Sequence, residues 1–245
     1  MNNHSTLEKM KELKLYGMQQ AFESALQTGG NQTLTADELL TFLIESEHSF
    51  RQTARIKAAI RNAKFRYSAT IEQVNFSQSR NLQKNQFMRL GDCSFIEKKE
   101  NIIITGATGV GKSYLASALG HQACMMGYKV RYYNMAKLFS TLKMSKADNS
   151  YLSEIERIER YHLLILDDFG LHPIDAATRL ALLEIMEDRH GKSSTIIASQ
   201  IPVTKWYEML GEHTIADAIL DRIIHSAQRI ELQGESLRKK QPKTD

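Results

Sequence analysis

The chain has 245 residues, 42% hydrophobic and 24% charged, with three prolines and two cysteines. That composition excludes a disordered chain, a disulfide scaffold and a collagen-like repeat, and it leaves room for one ordinary domain with a smaller companion. The net charge of +4 is unevenly held: Arg51 to Leu90 contains nine Lys/Arg against one acid, Glu72, so this segment carries +8, which points to a polyanion partner.

No apolar run approaches the length of a membrane span, and Met1-Asn2-Asn3-His4-Ser5 lacks the basic-then-apolar pattern of an export signal. Cys93 and Cys124 form no CxxC and read as free thiols in a reducing cytoplasm. In chain order, Leu7, Met10, Leu13, Met18, Phe22 and Leu26 predict an amphipathic helix over 6–28, ended by Gly29-Gly30-Asn31. Thr35-Ala36-Asp37-Glu38 is a capping box opening a second helix that runs to about Phe65. The stretch 66–100 reads as a connector with short helices, and the domain boundary falls near 70–80, giving a helical domain at 1–75 and an α/β domain at 76–245.

Beyond residue 100 the pattern changes. Apolar strands are expected at 101–105, 129–133, 162–168, 194–199 and 228–232, with helices at 112–126, 135–145, 151–160, 175–190 and 214–226 between them. Apolar strands alternating with helices imply a parallel sheet covered on both faces. The polar tail from Gly234 is expected to fray.

The chemistry centres on Gly106-Ala107-Thr108-Gly109-Val110-Gly111-Lys112-Ser113, a full GxxxxGK[ST] match between a strand and a helix. The glycines let successive N–H groups face one anion, and the helix N-terminus adds its positive end. Lys112 supplies a charge for the β- and γ-phosphates, Ser113 a hydroxyl for Mg²⁺, and Tyr114 completes the nucleotide-binding set. An acid at the end of a buried strand should complete the site: Asp167 for Mg²⁺, and Asp168 to orient and deprotonate the attacking water. Two adjacent carboxylates repel unless a cation lies between them and the phosphates, although one of the pair could instead cap the following turn. Gln200, ending the next strand, could position the water, or could simply be a polar strand end. Arg222, at the edge of an apolar helix face, could reach a neighbouring subunit's γ-phosphate or could pair with Asp217 or Asp221.

Gly106–Ser113, Leu164–Gly170, Ile197–Gln200, Thr214–Arg222 and Gly234–Arg238 resemble the IstB family, the helper ATPases of bacterial insertion-sequence transposition, which are similar to the helicase loader DnaC and more distantly to DnaA within the AAA+ class. The resemblance implies an AAA+ P-loop NTPase core preceded by a small all-α DNA-binding domain. It also implies ATP and Mg²⁺ as cofactors, self-assembly on duplex DNA, and a transposase partner. It favours Arg222 as an arginine finger acting in trans and Gln200 as a γ-phosphate sensor. The usual second acid of the class is Glu; here Asp168 is one methylene shorter, so slow hydrolysis is expected. No lid can be placed after Leu232, and Arg238 is a candidate substitute sensor.

Arg51, Arg55, Lys57, Arg61, Lys64 and Arg66 lie in a run without acids, several of them three or four apart, so that one helical face can collect them. Contacts to phosphates would be salt-sensitive and largely indifferent to sequence. A solvated helix face would show the same pattern; the resemblance favours DNA. Two other readings remain at this level: a replicative helicase loader, and a small-molecule kinase using the same loop.

Overall fold

The computed structural model describes residues 3–29, 34–76 and 80–237, so Gly30, Asn31 and Arg238 lie outside the described residues. The chain divides into two compact units, Met1–Ala58 and Ala59–Asp245; the expected boundary at 75/76 thus falls inside the second unit.

The first unit is helical. The single helix expected over 6–28 is two, α1 (Asn3–Glu12) and α2 (Tyr16–Thr28). Lys14 takes a left-handed φ of 59°, and Leu15 N–H donates back to Met10 O at 2.8 Å. That closing pattern usually recruits glycine, so nothing in the sequence flags it. A third helix, α3 (Ala36–Ala63), opens on the expected box: Thr35 N–H donates to Glu38 Oε2 at 2.8 Å, and Glu38 N–H to Thr35 Oγ1 at 3.3 Å. The buried Glu47 on α3 accepts from Gly17 N–H at 2.7 Å and Met18 N–H at 3.1 Å, satisfying two orphan donors in the first turn of α2.

The second unit holds a five-stranded, all-parallel sheet in the order β2-β3-β4-β1-β5, built from β1 (Asn101–Gly106), β2 (Val130–Asn134), β3 (Leu163–Phe169), β4 (Ser194–Ser199) and β5 (Ala227–Leu232). Alternation sends successive side chains to opposite faces. Ile102, Ile104, Leu163, Ile165 and Ile196 pack into one cluster with Leu115 and Leu119 of α6 (Lys112–Met125). Ile103, Leu164, Leu166 and Ile197 pack into the other, with α7 (Met135–Ala147), α8 (Tyr151–Glu159), α9 (Ala176–Arg189), α10 (Trp206–Leu210) and α11 (His213–Ile224). Both faces are covered, which is why the inner strands β1, β3 and β4 read as continuously apolar, whereas the edge strands β2 and β5 carry polar residues.

The stretch read as a connector is part of this core. Ala63, Phe87, Leu90, Phe95 and Ile96 are buried in the first cluster, carried by residues 59–97 and by the short helices at Lys84–Leu90 and Ser94–Glu97. Helices of one or two turns are too short to print a helical period in sequence. On the other side the Arg189 guanidinium is buried, and it donates to Ile158 O at 3.0 Å, Tyr161 O at 2.9 Å, Ser194 O at 2.5 Å and Thr195 Oγ1 at 3.2 Å. It ties α8 and α9 to the start of β4. Among the described residues no helix is long and apolar enough to cross a membrane.

Candidate nucleotide-binding site

The glycine loop leaves the carboxyl end of β1 and enters α6, at the edge of the sheet where parallel α/β proteins bind ligands. Gly109 has φ +85°, and a Cβ there would run into Ser236 Oγ. That contact corrects the expected fraying for residues 234–237, which lie along the loop; the rest of the tail lies outside the described residues. Gln233 N–H donates to Arg80 O at 2.9 Å, and Leu237 N–H to Gly109 O at 3.0 Å. Lys112 folds onto its own loop, donating to Gly106 O at 2.7 Å and Ala107 O at 2.8 Å.

Facing the loop, Asp167 and Asp168 end β3. In a regular strand their side chains would point to opposite faces. Here β3 bulges: Leu166 pairs with Ile197 but Phe169 with Ser199, so β3 spends three steps against two on β4, and Asp168 sits at a left-handed φ of 59°. The bulge turns both carboxylates to one point. Ser113 Oγ donates to Asp167 Oδ1 at 2.9 Å, and the Tyr132 hydroxyl donates to Asp167 Oδ2. Asn134 Nδ2 donates to Asp168 Oδ2 at 2.8 Å. The bonds on the Asp168 side chain thus come from the site rather than from the following turn. Burial, then the Asp167 carboxylate, pushes the Tyr132 phenol pKa well up, so the phenol stays a donor.

The cation that this pair requires is present in the chain itself. Arg66 Nη1 lies 3.2 Å from Asp167 Oδ2 and 3.1 Å from Asp168 Oδ2. Burial opposes the guanidinium charge, but Tyr67, Asp167, Asp168 and Tyr132 outweigh it and raise its pKa. Arg66, grouped by sequence with the basic run, is therefore turned into the nucleotide cleft. Helix α3 ends at Ala63, and Lys64 takes φ 59°, so Lys64 and Arg66 lie beyond the helix that carries Arg51, Arg55, Lys57 and Arg61.

The cleft measures about 740 Å³ and is lined by the loop, Arg66, Tyr67, Gln73, Asp168 and Gln200 among others. Gln200 Oε1 accepts from Thr108 Oγ1 at 2.7 Å, which puts it at the loop. Tyr114 faces Gln73, with its hydroxyl 3.4 Å from Oε1. A smaller apolar cleft of about 300 Å³ lies beyond Asp168, between α7 and α9, and contains no loop residue.

Arg222 lies elsewhere. It donates to Ala218 O at 2.7 Å and to Glu187 Oε1 at 2.8 Å, so its partner is neither Asp217 nor Asp221. Its carbonyl is held by Asn101 at the start of β1, whereas the loop begins at the other end of that strand, about 17 Å away at 3.3 Å per residue. Arg222 does not serve its own chain's loop.

Sequence reasoning missed Arg80, Tyr132 and Asn134, and grouped Arg66 with the basic run instead of this site. Asn134 had a signal: like Gln200, it is a polar residue at the carboxyl end of a strand, in register with Asp167. Tyr132 stands two residues before it, on the same face. Arg80 is buried with Nη1 3.2 Å from Val110 O, bracing the loop from beneath; no local pattern announces it.

The family model for IstB-like ATP binding proteins matches residues 8–244. The chain belongs to the IstB-like ATP-binding protein family. It is 43% identical over 238 residues to the insertion sequence ATP-binding protein y4pL of Sinorhizobium fredii, covering 97% of each chain. It is 29% identical to the insertion sequence IS21 ATP-binding protein of Pseudomonas aeruginosa, covering 95% of this chain and 88% of that one. Among solved structures, DnaI aligns with a TM-score of 0.56 at 21% identity, over 72% of this chain and 93% of that one. AMPPCP-bound DnaA from Aquifex aeolicus aligns with a TM-score of 0.57 at 18% identity, over 71% and 53%. These two likenesses show the fold alone: this IstB-like ATP-binding protein shares the parallel α/β fold of DnaI and DnaA.

Proposed function

We propose that this IstB-like protein is an Mg²⁺-dependent ATPase that assembles on duplex DNA and recruits and stimulates a transposase. The observation that carries the reading is the bulged Asp167-Asp168 pair set against Ser113 and the glycine loop, in a chain matched along nearly its whole length by insertion-sequence ATP-binding proteins. The donor set suits the metal: two carboxylates, hard oxygen ligands, already converge on a positive charge, and the Ser113 hydroxyl is bonded to one of them. Mg²⁺, when bound, neutralises charge on the β- and γ-phosphates.

Ser113 and Asp167 would hold the metal. Lys112 would exchange the carbonyls of Gly106 and Ala107 for phosphate oxygens. Asp168, held by Asn134, would orient the attacking water and take its proton, while Gln200 beside Thr108 would sense the γ-phosphate. Arg222, remote from its own loop, would complete a neighbour's site. The side chains of Arg51, Arg55, Lys57 and Arg61 on α3 would contact DNA phosphates.

The decisive experiment is sedimentation and negative-stain imaging with ATP and duplex DNA together. Assembly only when both are present is the expected result, and its absence would sink the reading. The likeness to the DnaC helicase loader, at 16% identity, is one of fold and does not favour helicase loading. A pull-down against transposase and helicase separates the two.

A further inference from the structure

Arg66 sits where a metal-nucleotide complex has to arrive. One nitrogen, Nη1, is shared between Asp167 Oδ2 and Asp168 Oδ2 at 3.2 and 3.1 Å. Asp167 Oδ1 is meanwhile occupied by Ser113, the other expected metal ligand. A divalent ion ligated by Ser113 and Asp167 needs its oxygens at about 2.1 Å and brings its own positive charge. Guanidinium and metal therefore compete for the same carboxylates, by charge and by space. The remaining groups around Arg66 set no barrier to departure. Its side chain is 40% exposed, it opens onto the 740 Å³ cleft, and the Tyr67 ring already stands 5.7 Å from its Cζ, a face it can keep on leaving the carboxylates.

We propose that Arg66 is an internal counter-ion that holds the Asp167–Asp168 pair until the metal-bound nucleotide displaces it, so that loading the site begins by expelling a residue of this chain. The device has a clear physical use. Two adjacent carboxylates, one of them fully buried, would repel in the empty site and distort the bulge that aims them; Arg66 keeps them in place. It also raises the metal concentration needed for loading. The residue lies three positions beyond Ala63, the end of α3. The inference rests on the assignment of Ser113 and Asp167 to Mg²⁺.

The test is equilibrium binding of a fluorescent ATP analogue at fixed concentration while Mg²⁺ is titrated, for wild type, Arg66→Ala and Arg66→Lys. Removing the competitor should lower the Mg²⁺ midpoint roughly three- to tenfold in Arg66→Ala, the range expected of a half-exposed ion pair. Arg66→Lys should lie between the two. Melting without nucleotide or metal should show Arg66→Ala below wild type, with the gap closing once Mg²⁺ and nucleotide are added. A midpoint in Arg66→Ala equal to or above wild type overturns the proposal, and an increase would mean that Arg66 supports the loaded state instead. Nucleotide binding by wild type that ignores Mg²⁺ altogether would instead remove the metal assignment itself. Should Arg66→Ala fail to fold, Arg66→Gln removes the charge while keeping a polar, hydrogen-bonding side chain, and is held to the same criteria.

Discussion

Asp168 shows how much function one backbone angle can carry. Its φ of 59° is uncommon for a non-glycine residue and costs about 1 kcal/mol or more, a strain tolerated where the surrounding structure fixes it. What it gains is a second carboxylate on the same side of β3 as Asp167. Asp168→Asn should retain nucleotide binding and abolish turnover, whereas Lys112→Ala should weaken binding itself; filter binding alongside phosphate release separates the two, and hydrolysis at the wild-type rate by Asp168→Asn would remove its assigned role. Arg222 makes a similarly specific demand. Its bond to Glu187 joins two surface side chains, worth no more than about 1 kcal/mol. Arg222→Ala should therefore fold and bind nucleotide as a single subunit, yet lose hydrolysis in the assembly by about a thousandfold if it acts as a finger in trans. Loss of nucleotide binding by the isolated subunit would contradict that role.

At the scale of elements, the sharpest case is the junction of α2 with α3. Glu47 is buried and spends its carboxylate on Gly17 and Met18 N–H groups and on Arg51. Burial works to raise its pKa, but Arg51 and the two N–H groups overcome it, and the folded value lies below the ordinary 4.5. The unfolded chain then binds more protons through this window, so the contribution is complete above pH ~4.5 and is lost as pH falls through the folded value. Glu47→Gln should destabilise the helical unit by about 1–2 kcal/mol near pH 7, and the difference from wild type should shrink in acid; helix melting followed by circular dichroism from pH 3 to 7 checks this. A difference independent of pH would show that packing, not charge, is at stake. The elements themselves were largely legible. All five strands and the helices between them fall within a residue or two of expectation, because each carries a full hydrophobic period and a clear stop such as Gly127. The failures have two causes. The break at Lys14 rests on a left-handed residue that is not glycine, and the helices at Lys84–Leu90, Ser94–Glu97 and Trp206–Leu210 are too short to carry a period.

For the whole molecule, basic charge is divided between two places. Arg51, Arg55, Lys57 and Arg61 lie on α3, while Arg66 and Arg80 are drawn in beside the glycine loop and the acid pair. Neutralising Arg55, Lys57 and Arg61 together should weaken duplex binding and reduce the slope of log affinity against log salt by up to about 2.7, at roughly 0.9 per phosphate contact. Nucleotide binding by the same variant should be unchanged. An unaltered slope in fluorescence anisotropy would move the DNA contact off this helix. The sequence by itself determined the glycine loop, the order of strands and helices, the pair of acids and the family, because each is a local pattern of residue types. Only the tertiary structure decided that Asp167 and Asp168 share a face, that residues 233–237 lie on the loop, and that Arg66 belongs to the nucleotide site. Each of these depends on a bulge, a left-handed turn or a pairing across a hundred residues, and such features leave no trace in local hydrophobic spacing.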